Sequence, residues 1–176
     1  MREITRAMSW LCEMFRKISM VALVVIGAVM SVIVLLQIIF RFLIHVPFPW
    51  SEELARYLMI WMGMLGAFVA LREGRHIGVS IFVDRLPPAL CSKVMVFVQL
   101  VTVAFLVIVA RQGFSLAVFN STQLSPAMQV PMIFPYLAVP VGTSLMILEL
   151  ATGVLAEFFP VEGGRPRRLT AATLDG

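Results

Sequence analysis

Residues that carry chemistry are scarce in this chain of 176 residues. It has two cysteines and two histidines, and charged residues make up only 14% of it. Cys12 and Cys91 form no CxxC or Cys/His spacing, which argues against a disulfide, a redox role or a metal site. The sequence also lacks a Gly-rich phosphate loop, a nucleophile elbow and a zinc signature. No catalytic residue, metal or cofactor is therefore predicted, and the chain is not expected to be an enzyme.

Apolar residues, in contrast, are in large excess. They make up 60% of the chain and give it a mean hydropathy of +0.96, against roughly 45 to 50% in ordinary globular domains. About 20 apolar residues are needed for a helix to cross a hydrocarbon core of about 30 Å. Four stretches meet that requirement, at about 18–42, 52–72, 91–111 and 132–157. The sequence predicts an all-α integral membrane protein with four transmembrane helices, the first of which is too long for a cleaved signal.

The basic residues predict which side of the membrane each end occupies. Eleven of the 14 lysines and arginines precede the first span, separate the second from the third, or follow the fourth. These three regions share one side in a four-span chain, and the positive-inside rule makes that side cytoplasmic. Both termini are therefore predicted in the cytoplasm. The net charge of +4 reflects this topology, and no nucleic-acid partner is expected.

The two ends of the chain differ from the membrane domain, which is predicted at 18–160. In residues 1–17, apolar side chains recur at helical spacing and basic ones fill much of the opposite surface, which is typical of an amphipathic helix at the membrane interface. The alternative is a frayed basic leader that only sets orientation. Residues 161–176 are predicted to be a disordered cytoplasmic tail. In the loop at 112–131, mixed apolar and polar residues predict a short helix on the outer surface.

Charged residues cluster where the second span begins. Ser51 is a suitable N-cap, and Glu52 and Glu53 suit the positive end of the helix dipole. Arg56 follows them by one helical turn, and Arg41 ends the first span at a similar depth. We predict that the four charged residues form an ion network that contacts partners, the alternative being arginines that snorkel to the lipid headgroups.

Other residues of the second span indicate packing and anchoring. Small residues four apart predict a helix-packing face, formed by Gly63, Gly66, Ala67 and Ala70. Aromatic and basic residues near the span ends predict contacts with the interface or with lipid headgroups. These anchors are Trp50, Arg16, Lys17, Arg72 and Arg75.

Few polar residues are candidates for a site inside the membrane. His45 and His76 lie at opposite ends of the second span, about 27 Å apart along a helix of 18 residues, and so do not suit one haem. Glu149 lies inside the fourth span, towards its cytoplasmic end. We predict that it forms a structural pair with Lys93, the alternative being a functional carboxylate of a small transporter.

Two ordered motifs resemble a known family. The first is EELARY, W-x-x-x-L-G-A and ALREGRHIGV in residues 52–79, and the second is SPAMQVPMIFPYLAVPVG in residues 125–142. Together they resemble the small membrane subunit (DctQ-like) of tripartite ATP-independent periplasmic (TRAP) transporters. The resemblance covers roughly residues 15 to 158.

The resemblance implies a role within a complex of the bacterial inner membrane. In such transporters a soluble periplasmic protein captures an organic acid, and a large polytopic permease carries the sodium and substrate sites. The small subunit scaffolds that permease and helps dock the binding protein. Two other functions stay open at this point: a self-sufficient small homo-oligomeric transporter, and a membrane anchor for a redox enzyme.

Overall fold

The computed structural model describes residues 2–45, 49–73 and 88–158. Its principal helices are α1 (Arg2–Ile39), α2 (Pro49–Arg72), α3 (Pro88–Phe119) and α5 (Ala138–Phe158), with a single-turn helix α4 (Ile133–Tyr136) before the last. Among these described residues, four segments are long and apolar enough to cross a membrane, and they are Met8–Ile44, Pro49–Arg72, Val96–Phe119 and Ile133–Val154. The predicted all-helical fold with four spans is therefore confirmed.

The first helix is longer than the sequence analysis predicted. Because the first proline of the chain is Pro47, nothing breaks the helix early, and α1 runs from Arg2 to Ile39 before a π-helical turn at Phe40–Ile44. His45 then ends it in a left-handed conformation with φ 58°. Residues 2–17 are thus helical but continuous with the first span. Their position on the membrane surface stays a prediction.

Prolines define the beginning of the next two helices. A proline suits the first turn of a helix because the amide hydrogen it lacks would have no partner there. α2 begins at Pro49, so Ser51 lies inside the first turn and is 1% exposed. α3 begins at Pro88 and continues to Phe119. The short outer helix expected within 112–131 is not found, because residues 112–119 continue α3 and residues 120–131 form turns.

α5 is the central helix of the bundle. It packs against α1, α2 and α3, whereas α1 and α3 make no contact with each other among the described residues. The four long helices therefore form a thin arrangement, with α1 and α3 at opposite edges. Buried apolar side chains are few and most of α1 is exposed, as suits a protein whose surroundings are lipid and other membrane helices.

Two glycines set the closest approaches between helices. A Cβ atom on Gly142 would lie 2.7 Å from the Cβ of Met64 on α2, and one on Gly113 would lie 3.2 Å from both Val139 and Pro140. These contacts fix the relative levels of α2, α5 and α3. We call the end with residues 120–132 the outer end and the opposite one the inner end, after the predicted orientation.

The tight contact at Gly142 predicts a strong response to one methyl group. Gly142→Ala should force α2 and α5 apart and destabilise the protein by about 1 to 3 kcal/mol, the range for overpacking. Gly153→Ala on the same helix is the matched control, because its Cβ would meet no atom within 4 Å. Thermal unfolding in detergent measures both variants, and equal melting temperatures would contradict the packing described.

Candidate functional site

A buried carboxylate near the outer end joins α2 to the loop that precedes α4. Glu53 is 6% exposed, and its Oε2 accepts hydrogen bonds from the backbone N–H groups of Ala127 at 3.0 Å and Met128 at 2.9 Å. Its Oε1 accepts a hydrogen bond from the hydroxyl of Tyr57, one turn further along α2. A carboxylate with donors on both oxygens is well stabilised without a cation.

The loop bound by Glu53 is closed by its own hydrogen bonds. The backbone N–H of Ser125 donates to the carbonyl of Val130 at 2.9 Å, and the N–H of Val130 donates to the Ser125 hydroxyl at 3.2 Å. Gln129 has φ 55° and ends the single turn between them, with its N–H donating to the Ser125 carbonyl at 3.2 Å. The turn leaves its first amides without intrahelical partners, and Glu53 supplies an acceptor for them.

Two aromatic residues of α2 extend this contact towards α4. The Tyr57 hydroxyl also lies 3.2 Å from the sulfur of Met132, and the indole N–H of Trp61 donates to the carbonyl of Phe134 at 3.2 Å. Residues on one face of α2 thus hold the segment 125–134 over three successive turns. We call Glu53, Tyr57, Trp61 and residues 125–134 the outer clasp.

The structure separates the four residues predicted to form one ion network. Glu52 and Arg56 are paired across one helical turn at 3.5 Å, with side chains 64% and 66% exposed. Arg41 lies over the ring of Phe42 at 5.8 Å. Among the described residues neither arginine pairs with Glu53. Consecutive positions on a helix point in different directions, so Glu52 is exposed while Glu53 is buried.

A second group of charges lies at the inner end and joins three helices. The Arg72 guanidinium on α2 pairs with Glu149 on α5 and, at 3.1 Å, with Glu13 on α1. Arg16 adds a second bond to Glu13 at 2.5 Å. Two carboxylates and two guanidiniums give this inner ion cluster no net charge, which suits a position where α1, α2 and α5 meet.

Small polar groups cover the inner ion cluster. Glu149 and Thr152 are 4% and 8% exposed, and the Thr152 hydroxyl donates to the Glu149 carbonyl at 2.7 Å. Cys12 is fully buried, with its sulfur 4.0 Å from the Thr152 hydroxyl. The buried polar groups here have partners, so the cluster has the character of a structural joint.

This joint revises one prediction for the inner end and leaves another untested. Arg72 was predicted to contact lipid headgroups, but its side chain is only 17% exposed and is engaged by two carboxylates. Glu149 pairs with Arg72, while the side chain of Lys93 lies outside the described residues, so the Lys93 pair stays a prediction. Arg75 and His76 also lie outside them.

The remaining anchors and the predicted packing face are placed on the bundle surface. Trp50 is 40% exposed and Lys17 is exposed, and their contact with the interface stays a prediction. Arg16, the other predicted anchor, is engaged by Glu13. Three residues of the packing face, Gly63, Ala67 and Ala70, are exposed within this chain, whereas a Cβ atom on Gly66 would lie 4.0 Å from Leu23 of α1. The close glycine contact to α5 occurs instead at Gly142. The sequence signal for it was the Pro-x-Gly of the second motif.

The outer clasp and the inner ion cluster lie far apart. Glu53 and Arg72 are 19 positions apart on α2, which is about 28 Å along a helix axis. Between them α2 is apolar apart from Arg56 in its outer turns and the indole and hydroxyl groups of the clasp. The described residues contain no group of three His, Cys, Asp or Glu side chains able to hold a metal ion. The geometry supports structural joints at both ends of α2.

Comparison with known proteins agrees with the two motifs. Residues 30–159 match the profile of the DctQ component of tripartite ATP-independent periplasmic transporters. The chain belongs to this family. DctQ proteins are transporter components rather than enzymes, and the family and the four apolar helices indicate a multi-pass protein of the inner membrane.

Three relatives show the range of the similarity. The C4-dicarboxylate TRAP transporter small permease protein DctQ of Rhodobacter capsulatus is 35% identical over 59% of this chain and 48% of its own length. A putative TRAP transporter small permease protein of Haemophilus influenzae is 25% identical over 75% of this chain and 82% of its own. The isethionate TRAP transporter permease protein DctMQ of Oleidesulfovibrio alaskensis is 35% identical over 57% of this chain but only 16% of its own length. The match thus spans about half of the first relative and a small part of the third.

The outer clasp gives the DctQ resemblance a physical basis. Glu53 and Tyr57 belong to EELARY, and Ala127, Met128 and Met132 belong to SPAMQVPM. The two motifs, whose bonded residues are more than 70 positions apart, are therefore the two sides of one set of hydrogen bonds. Sequence analysis identified both motifs but did not predict that they contact each other.

Glu53 and Glu52 form a matched pair for testing the outer clasp. Glu53→Gln removes the negative charge and keeps only one acceptor oxygen, which cannot replace both oxygens of the carboxylate, so opening of the loop should rise on the order of tenfold. Glu52→Gln loses only an exposed pair and should have little effect. The opening is measured by the rate of proteolysis within 120–131, or by the rate at which a cysteine introduced there is labelled. Equal rates in the two variants would show that Glu53 does not hold the loop.

The inner ion cluster predicts that losing one member of a buried ion pair destabilises the protein more than losing both. Glu149→Gln should destabilise the protein by about 2 to 4 kcal/mol, because it leaves Arg72 partly buried with a single carboxylate. Arg72→Met combined with Glu149→Met should be closer to the wild type, since neither charge is then left unpaired. Unfolding in detergent measures this, and a double variant as unstable as the sum of the single ones would contradict the pairing.

Proposed function

We propose that this chain is the small permease subunit of a sodium-driven, binding-protein-dependent TRAP transporter for an organic acid. It scaffolds a large permease and helps to dock the periplasmic binding protein. The names of two relatives support the substrate class, because C4-dicarboxylates and isethionate are organic anions. The isethionate relative supports the partner, since the part that matches this chain is a small section of a longer permease polypeptide.

The observation that carries the proposal is the position of the buried carboxylates. Glu53 and Glu149 lie at opposite ends of the bundle, and each is bound by groups of the chain itself. A transport site needs polar groups that converge near the midplane and are free to bind a substrate. In the described part of the chain, these carboxylates serve to join helices. Such a chain suits a stationary support better than a carrier.

The exposed face of α2 suits contact with the large permease. Gly63, Ala67 and Ala70 lie on it, below the exposed pair of Glu52 and Arg56. Lipid-exposed surfaces are rich in bulky residues, whereas small residues favour close packing of membrane helices. We place a helix of the permease against this face, with the charged residues above it at the rim of the interface.

The outer end suits docking of the binding protein. The outer clasp fixes residues 125–134, so the loop presents a defined surface to the periplasm in the predicted orientation. Leu124 and Phe134 are 51% and 57% exposed there, and Arg41 adds an exposed charge near the end of α1. A fixed surface limits the entropy lost when a soluble partner binds. Both termini then lie in the cytoplasm, as the basic residues predict.

Reconstitution tests the proposed function directly. Vesicles that contain this chain, the large permease and an inward sodium gradient should take up the organic acid only when the binding protein is added. Omitting the chain should abolish uptake or reduce it strongly. Uptake by vesicles that contain this chain alone would contradict the proposal and favour a self-sufficient transporter.

The α2 face can be tested separately. Ala67→Leu adds bulk at the face and should reduce recovery of the large permease with the tagged chain by about tenfold, a loss of about 1.4 kcal/mol of binding energy. Since Ala67 is exposed, the chain itself should keep its melting temperature. Val24→Leu on α1, where Val24 is 73% exposed, is the matched control. Unchanged recovery with Ala67→Leu would place the permease elsewhere.

A further inference from the structure

Arg111 of α3 is a charged residue on an exposed surface that is apolar except for Ser115, one turn further on. One turn to either side on the same face, Val107, Ile108 and Phe114 are 48%, 61% and 58% exposed. Arg111 is itself exposed, and its guanidinium makes no ion pair or hydrogen bond within the described part of the chain. A face with such large apolar residues is covered by lipid or by another membrane protein.

The level of Arg111 follows from the two glycine contacts. Gly113 meets Pro140 and Gly142 meets Met64, and α3 runs antiparallel to α5, so Arg111 lies level with Gly142 and with Met64. Met64 is eight residues from both Arg56 and Arg72, which is about 12 Å along the axis in each direction. Arg111 is therefore level with the middle of α2.

This depth separates Arg111 from an ordinary interface anchor. An arginine near the end of a span reaches the headgroups by snorkelling, but α3 continues outward for eight more residues, about 12 Å. A guanidinium held at mid-depth on an exposed face is costly to leave without a counter-charge. The described residues of this chain supply none there.

The neighbouring groove is apolar and is open to a helix. It lies between α3 and α5 and is lined by Phe114, Leu137, Pro140, Val141, Ser144 and Leu145. Its one hydroxyl, that of Ser144, donates to the carbonyl of Pro140 at 2.6 Å within α5. The groove therefore offers contact area but no anion.

We propose that Arg111 pairs with a carboxylate on a transmembrane helix of the large permease, and that this helix packs along the groove between α3 and α5. The inference rests on the proposed function and adds a second contact, distinct from the α2 face. A carboxylate on a neighbouring helix can lie at mid-depth, whereas a lipid phosphate lies at the membrane surface. The planar guanidinium also suits two parallel bonds to a carboxylate.

The test uses the complete complex purified from membranes through a tag on this chain. Arg111→Glu should reduce recovery of the large permease by about tenfold, and the neutral Arg111→Gln should reduce it less. Gln112→Glu is the matched control, because it adds a negative charge at the next exposed position, which points elsewhere on α3. Melting temperatures of the variants without the permease show whether the chain itself is folded.

A chemical cross-link identifies the partner group. In Arg111→Lys, a membrane-permeable carbodiimide should join the introduced amine to a permease carboxylate as an amide, which peptide mass analysis locates. Two outcomes with Arg111→Glu would overturn this inference alone. The variant could recover the permease at the wild-type level, or it could lose bound phospholipid while it retains the permease. Failure of the wild-type chain to recover the permease would instead overturn the proposed function.

Discussion

The hydrogen bonds of Glu53 are the interaction on which the outer half of this protein depends. A carboxylate that is 6% exposed needs strong donors, and here they are two backbone amides of a distant loop and one tyrosine hydroxyl. Because the donors are backbone groups, the loop must keep its turn for the bonds to form. One side chain thus fixes the shape of the loop and the position of α2 beneath it.

The inner ion cluster solves a related problem in a different way. Glu149 is satisfied by an arginine, and that arginine is shared with Glu13 of α1. The result is neutral overall and ties α1, the most exposed helix, to the two helices beside it. Removing one member of a buried ion pair strongly destabilises a protein. This cluster and the outer clasp therefore stabilise the thin bundle at both ends.

Sequence analysis predicted the spans and the family, because both depend on local signals: hydrophobic length and short ordered motifs. Of the predicted network of four charged residues, the described structure contains only the pair of Glu52 and Arg56, which lies within one helical turn. Sequence analysis did not predict that Glu53 binds Ala127 and Met128, or that Arg72 binds Glu149. Those contacts join residues more than 70 positions apart, and no spacing rule in a single sequence specifies which helices meet.

The same distinction between local and distant signals explains why the small residues of α2 were recognised but the tight contact at Gly142 was not predicted. Gly63 and Ala67 have the four-residue spacing of a packing face, yet they are exposed, while Gly142 makes the tight contact with Met64. Spacing shows that a face can pack closely but does not show which helix packs there. An exposed small-residue face left over after the chain has packed is more informative than the motif alone, because it indicates where a partner is needed to complete the membrane structure. Arg111 strengthens that argument. It lies on a second exposed face and has no ion pair among the described residues, so a partner there would supply both a counter-charge and packing contacts.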